Sequence, residues 1–387
     1  MVVQRCGTEV NGGAEALCRE VARHLSSLWD VTILTTTALD YETWAAHYPA
    51  GPQMIEGIPT VRFDVDGPRN KRDFDRLSKR ILNRRTKATL AEQEAWARSQ
   101  GPYSTGLLRY IEDHAADYDL FIFYSYLYAT TYFGLALVAE KAFLAPLAHD
   151  EWPIHFSMWN DFFRKPQRIL FNTPEERDFL LRRFPDTSLR GPIAGIGITP
   201  PPDLRPDRFR ERFGLTNAYC IYAGRIDKAK NVDTLFKNYA AYRRKRTDLD
   251  LVLLGRSVMD IPRCPGIHAL GYVDEETKFD AIAGSEFLVM PSSLESLSIA
   301  LLEAWSTARP VLVNAASAAL VGQTARAKGG LTYLSTAEFV AAAEALRSRS
   351  TQAALGENGR RFVAENYAWP SVVTKYLQTY EAFATQS

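Results

Sequence analysis

"VMPSSLESLSIALLEAWSTARPVLVN", Val289 to Asn314, joins an apolar run, a polar turn and a second apolar run of helical length. The first run, with "SEFLVMP" around it, reads as a central buried strand, and "IALLEAW" as part of the helix that follows. Glu295 and Glu303 stand eight positions apart across this junction. In open α/β sheets, ligands bind beyond the carboxyl ends of the strands, where loops lead into helices. A carboxylate set among apolar neighbours, as Glu303 is, needs a partner, because a lone buried charge is costly. Sugar and ribose hydroxyls are such partners, and the backbone N–H groups of Ser296, Leu297 and Ser298 would point from the helix start at a phosphate. A purely structural reading stands beside this one. Ser292-x-x-Glu295 has the form of a capping box, and Glu303 that of a helix-surface charge.

Outward from the junction the same rhythm repeats. "AYCIYAGRID", "LDLVLLG" and "RPVLVN" read as strands, and "NVDTLFKNYAAYRRK" and "DEETKFDAIAGS" as helices between them. Ahead of this half, "GPIAGIGITPPPDLRPDRF" concentrates Gly and Pro and reads as a linker. The N-terminal half has its own α/β pattern. "VVQRC" is a short buried strand, "GTEVNGG" a loop, "AEALCREVARHLSSL" a helix and "DVTILTTT" a second strand, together a βαβ unit. The opening strand is short for a core position, so a few residues are expected upstream of Met1. "DYDLFIFY", "APLAHDEWP" and "RILFNTPEERDFLLRRF" continue the pattern. The chain's 387 residues are more than one core usually serves, so two domains are expected.

Composition narrows the class further. At 46% hydrophobic and 24% charged, with a formal net charge of +1, the chain shows no global preference for nucleic acid. Four scattered cysteines without C-x-x-C pairing argue against a disulfide framework or zinc site and fit a reducing cytosol. The opening residues lack a basic-then-apolar pattern, so an export signal is not expected there. Leu120 to Ala139 is uncharged and long enough to span a bilayer, but its Tyr, Ser and Thr content favours a buried strand followed by a core helix. Residues 70–98 carry Arg72, Arg76, Lys79, Arg80, Arg84, Arg85 and Lys87 around an apolar face of Phe74, Leu77, Ile81 and Leu82. That pattern predicts a basic amphipathic helix, either a solvated cover for the domain or a contact for an anionic membrane surface.

Four further features fall at strand-to-helix junctions. Gly12-Gly13 would let the backbone approach an anion at a helix N-terminus. Arg225 and Lys230 in "AGRIDKAKN" would neutralise a diphosphate, one as a planar fork and the other as a point charge. His149 opens "HDE". Its spacing of six to His155 does not fit H-E-x-x-H, and the structural alternative is a core histidine bonded to a loop carbonyl. Asn172-Thr173 opens a helix, with Thr173 as N-cap and Pro174 at its first position. Neither a P-loop nor a G-x-G-x-x-G occurs, and "VTILTTT" ends without an acidic residue, so bound NAD is not expected.

With these residues assembled, the chain resembles, end to end, the retaining glycosyltransferases of family 4. The most specific part is the E-x7-E signature, here Glu295 to Glu303. Arg225 with Lys230 is the next, and Gly12-Gly13 and "HDE" support both. The resemblance implies an α/β fold of GT-B architecture, with two Rossmann-like domains facing a central cleft. Residues 1–196, completed by a terminal helix 371–387, would bind the acceptor, and residues 197–370 the nucleotide sugar. It further implies that His149 lies beside the transferring sugar and that Arg225 and Lys230 stabilise the departing diphosphate. Glu295 would accept from donor-sugar hydroxyls, Leu297 and Ser298 would give N–H groups to phosphate, and Glu303 would hold the ribose. Gly12, Gly13, Asn172, Thr173 and Ser296 complete the donor side. "NAASAALVGQ" lacks the glycine pair often found after the last strand in that family.

The expectation is therefore a cytoplasmic enzyme, peripheral at the inner membrane face if the basic helix binds lipid. It would move a sugar from a nucleotide diphosphate to a carbohydrate or lipid-linked acceptor, without a cofactor or metal. Three alternatives remain. "DVD", Asp64 to Asp66, matches the metal-binding D-x-D of the GT-A architecture. A nucleotide-sugar epimerase shares the GT-B fold, and a non-catalytic sugar-nucleotide-binding subunit would need only the binding residues.

Overall fold

A computed structural model describes residues 1–10, 12–84, 87–185 and 187–385. The chain divides into two compact units, Met1–Ile196 with Val373–Ser387, and Gly197–Val372.

The first unit holds strands β1 (Ile33–Thr36), β2 (Gly51–Ile55), β3 (Ile58–Phe63), β4 (Phe121–Tyr124), β5 (Ala142–Ala145) and β6 (Arg168–Ile169). They form two three-stranded sheets, ordered β1-β3-β2 and β4-β5-β6. The expected opening strand is reduced to a single bridged residue. Val2 pairs with Leu34 on one side and Phe123 on the other, and so links the two sheets. Residues 2–7 are buried along this seam. The β2–β3 hairpin, which the sequence reading passed over, turns at Glu56 (φ 48°) and Gly57 (φ 82°). Two consecutive positive φ values mark the turn whose twist matches antiparallel strands.

"LFIFY" forms fully buried β4, and the helix Ala129–Leu137 follows it. The expected strand and core helix are both present. Among the described residues no helix is long and apolar enough to cross a membrane. The aromatic residues of this stretch pack inward: Tyr126 and Tyr132 meet Trp159 edge-on, with ring centroids 4.9 and 5.5 Å apart.

The single basic helix expected over residues 70–98 is two helices, Lys71–Asn83 and Leu90–Gln100. Thr89 and Glu92 close a capping box that starts the second one, a signal present in the sequence as T-x-x-E. Ile81 is buried in the core, and Phe74 and Leu77 pack against it, so the apolar stripe of the first helix faces the protein. Leu82 departs from that stripe and is exposed. The basic side chains from Lys71 to Arg84 are exposed; Arg85 lies outside the described residues.

The second unit holds β7 (Ala218–Ala223), β8 (Leu249–Leu254), β9 (Ile267–Gly271), β10 (Leu288–Met290), β11 (Val311–Asn314) and β12 (Gly330–Tyr333). They form one six-stranded sheet ordered β12-β11-β10-β7-β8-β9, parallel throughout. The strand order reverses between β7 and β10, and such a switch point opens a crevice for ligands beyond the strand ends. β8 and β10 are buried along their whole length, as strands covered on both faces by helices should be.

Candidate active site

In the second unit, the loop after β7 is fixed from within. Tyr222 Oη donates to the carbonyl of Arg225 at 2.7 Å, and Arg225 Nε lies 2.8 Å from Asp227 Oδ2. Asp227 also accepts from Ala229 N at 2.9 Å, which starts the tight turn Lys228–Lys230. Asn231, with φ 56°, then redirects the chain into the helix Val232–Arg243. This brings Lys230 Nζ to 2.6 Å from Glu295 Oε1, the carboxylate carried by the loop after β10. Two residues 65 positions apart thus meet because β7 and β10 are neighbours in the sheet.

Glu303 lies on the helix Ile299–Ser306, with its side chain 9% exposed. The partner that its burial demanded is Lys278, whose Nζ is 2.6 Å from Glu303 Oε1 and 2.8 Å from Glu275 Oε1. Burial alone would lower the Lys278 ammonium, but Glu303 and Glu275 outweigh it and hold its pKa above the ordinary lysine value. Sequence reasoning missed Lys278. Its only local signal is the i, i+3 spacing to Glu275, and the contact that matters crosses from another helix.

The polar turn also differs from the capping-box reading. Ser298, not Ser292, is the N-cap of the helix, and its Oγ accepts from Leu301 N at 3.4 Å. The backbone N–H of Ser298 is itself engaged, donating to Gln323 Oε1 at 3.2 Å. Gln323 is fully buried and was not singled out from the sequence. Ser296 is buried and Leu297 half-buried.

In the first unit, Gly12 is the N-cap of the helix Gly13–Leu25. A Cβ at Gly12 would lie 2.0 Å from Glu15 Oε2, so the glycine makes room for a carboxylate of the helix's own first turn. Glu15 is buried and pairs with Arg5 Nε at 2.5 Å. A Cβ at Gly13 would meet nothing within 4 Å.

His149 follows β5. Its Nδ1 stands 3.8 Å from Glu151 Oε1 and makes no hydrogen bond among the described residues, so the histidine bonded to a loop carbonyl through that nitrogen is not seen. Glu151 instead accepts from Tyr126 Oη at 2.9 Å, and Asp150 pairs with His155 at 2.7 Å. Past β6, Thr173 caps the helix Pro174–Arg183, its side chain accepting from Glu176 N. Pro174 occupies the first helical position, where its missing N–H costs nothing. Glu176, another residue the sequence reading passed over, accepts from Ala148 N and Asn172 N, each at 2.6 Å. The strand-end loops carrying His149 and Asn172 are therefore joined through one carboxylate.

The "DVD" alternative finds little support in the geometry. Asp66 takes the N–H and hydroxyl of Thr105 at 2.8 and 2.5 Å, capping work at the start of the helix Thr105–Asp113.

Residues 217–348 match the family described as "Glycosyl transferases group 1". A D-inositol 3-phosphate glycosyltransferase of Arthrobacter sp. (strain FB24) is 28% identical over 252 residues, 57% of this chain and 56% of that protein. The chain thus spans a little over half the length of the curated relatives it matches. Among solved structures, sucrose-phosphate synthase from Thermosynechococcus elongatus superposes with a TM-score of 0.70 at 16% identity, covering 100% of both chains. HepE from Anabaena in complex with UDP-glucose gives a TM-score of 0.66 at 13% identity, covering 98% of each chain. The fold is the α/β architecture of the GT-B glycosyltransferases, and its second unit carries the group 1 match.

Proposed function

We propose that the protein transfers a sugar from a nucleoside diphosphate donor to a hydroxyl of a carbohydrate or lipid-linked acceptor, with retention and without a metal. The observation that carries this reading is the gathering of Arg225, Lys230 and Glu295 past the ends of β7 and β10, where the strand order reverses. Two kinds of relative support it: one named for glycosyl transfer involving D-inositol 3-phosphate, and a structural neighbour holding UDP-glucose.

Glycosyl transfer passes through an oxocarbenium-like state while negative charge grows on the leaving phosphate oxygen. Arg225 and Lys230 stabilise that charge, and their carboxylate partners hold both cations in place before the reaction begins. Glu295 accepts from the donor sugar while holding Lys230, and Glu303 takes the ribose hydroxyls in exchange for part of its contact with Lys278. The departing phosphate accepts the proton of the attacking hydroxyl, so the reaction needs no separate protein base. The loops of His149 and Asn172 in the first unit serve the acceptor and the transferring sugar. The exposed basic residues of Lys71–Asn83 give the enzyme an electrostatic hold on an anionic membrane face in the cytoplasm.

Thermal-shift titration with UDP, GDP and dTDP tests the donor side, because a nucleotide that binds the folded state raises the melting temperature. One of the three is expected to do so. The matching nucleotide sugar should then release its diphosphate only when an acceptor is added. An epimer formed from donor alone would replace this reading with the isomerase, and binding without any turnover would leave a binding subunit.

A further inference from the structure

Glu176 lies in the first turn of the helix Pro174–Arg183, 2% exposed, and its two carboxylate oxygens are divided between two segments of chain. Oε1 accepts from Ala148 N, one residue before His149, and Oε2 accepts from Asn172 N. Both contacts are 2.6 Å, short even for hydrogen bonds to an ionised oxygen. The Asn172 side-chain amide also favours the carboxylate, although its Nδ2 closes no hydrogen bond among the described residues. A helix cap needs only the N–H groups of its own helix. This carboxylate reaches instead into the loop beyond a neighbouring strand. We propose that Glu176 is a positioning residue, whose ionised carboxylate clamps the loop after β5 to the loop after β6 and so fixes where His149 stands. This rests on the glycosyltransferase reading only for what His149 does once placed.

Chemistry makes the clamp sensitive to protonation. An ionised carboxylate offers lone pairs to both N–H groups, whereas the neutral acid turns one oxygen into a donor and loses charge assistance at both. Burial pushes the Glu176 carboxyl up to about 8, against the pull of the N–H groups of Asn172 and Ala148. The charged groups on the packed elements are otherwise occupied. Asp150 pairs with His155, Arg177 with Asp178, and Glu151 lies against His149 and Tyr126. Arg183, at the far end of the helix, feels Asp150 and Tyr126. None of these, nor His149 or Glu175, acts on the Glu176 carboxyl among the described residues.

The test compares wild type with Glu176→Gln, which keeps the shape but sets an NH₂ against one of the two N–H groups. Turnover of the nucleotide sugar by wild type should climb with pH through a midpoint near 8. The variant should lose that limb and turn over about tenfold or more slowly at pH 9, with KM for the donor changed far less. A variant that keeps the limb and the rate overturns the proposal. If no nucleotide sugar is turned over at all, it is the glycosyltransferase reading that fails, and the clamp is decided by NMR on the wild-type protein. One glutamate carboxyl should titrate near 8, with the Ala148 and Asn172 amide protons shifting in step. Amide protons that stay put while the Glu176 carboxyl titrates, at whatever pH that falls, overturn it. The wild-type measurement also decides the matter should Glu176→Gln fail to fold.

Discussion

The loops after β7 and β10 and those joined by Glu176 after β5 and β6 treat buried polarity in different ways. In the second unit, each carboxylate of the E-x7-E pair is matched by a lysine, Glu295 by Lys230 and Glu303 by Lys278, and Arg225 by Asp227. In the first unit, a lone carboxylate faces backbone N–H groups, and the candidate side chain His149 makes no hydrogen bond through Nδ1 among the described residues. One set is neutralised side chain against side chain, so a charged ligand must exchange partners with it. The other is a matter of where the backbone is held. Paired side-chain charges distinguish the strand ends of β7 and β10, and backbone placement those of β5 and β6.

The sharpest way to break this contrast is to remove the cations. Arg225→Ala and Lys230→Ala should each lower kcat about 10²–10³-fold, the usual loss when a fixed group facing developing negative charge is removed. Donor affinity should change less, and steady-state kinetics on the nucleotide sugar separates the two effects. Wild-type rates in both variants would take these charges out of the mechanism. A smaller effect is expected at Glu303. Glu303→Ala should weaken donor binding about 10- to 100-fold by calorimetry, the size of one or two hydrogen bonds to a charged group. Lys278→Met sharpens the point: if Glu303 serves the ribose directly, freeing it should leave binding intact or tighten it, whereas equal weakening would assign the pair to structure alone. The first unit is tested through stability rather than turnover. Gly12→Ala should cost about 1–3 kcal/mol in urea unfolding, because the added methyl meets the Glu15 carboxylate. Combining it with Glu15→Ala should recover much of that cost, and no recovery would mean that the collision is not the cause.

Much of the second unit was legible in the sequence, because its inner strands are continuous apolar runs. β7, β8, β10 and β11 coincide with "AYCIYAG", "LDLVLLG", "EFLVMP" and "RPVLVN". β9 and β12 escaped. Both are edge strands, partly exposed and flanked by glycine, so neither shows the run of buried residues that betrays an inner strand. The residues of the candidate site that were missed share another property. Lys278, Gln323 and Glu176 act through contacts with segments distant in the chain, and spacing along one element carries no trace of them. The basic segment shows the reverse error. Its periodicity foretold the inward apolar face but hid the break, which Thr89 and Glu92 spell out once the capping rule is applied.

The order β12-β11-β10-β7-β8-β9 has a consequence for the dynamics of the second unit. The loops bearing Arg225, Lys230 and Glu295 follow the two innermost strands, and the poorly covered β9 and β12 close the sheet at its margins. Fraying begins where backbone bonds are least sheltered. Amide exchange should therefore quicken first at Ile267–Gly271 and Gly330–Tyr333, while the charged loops keep their mutual geometry until the whole unit opens.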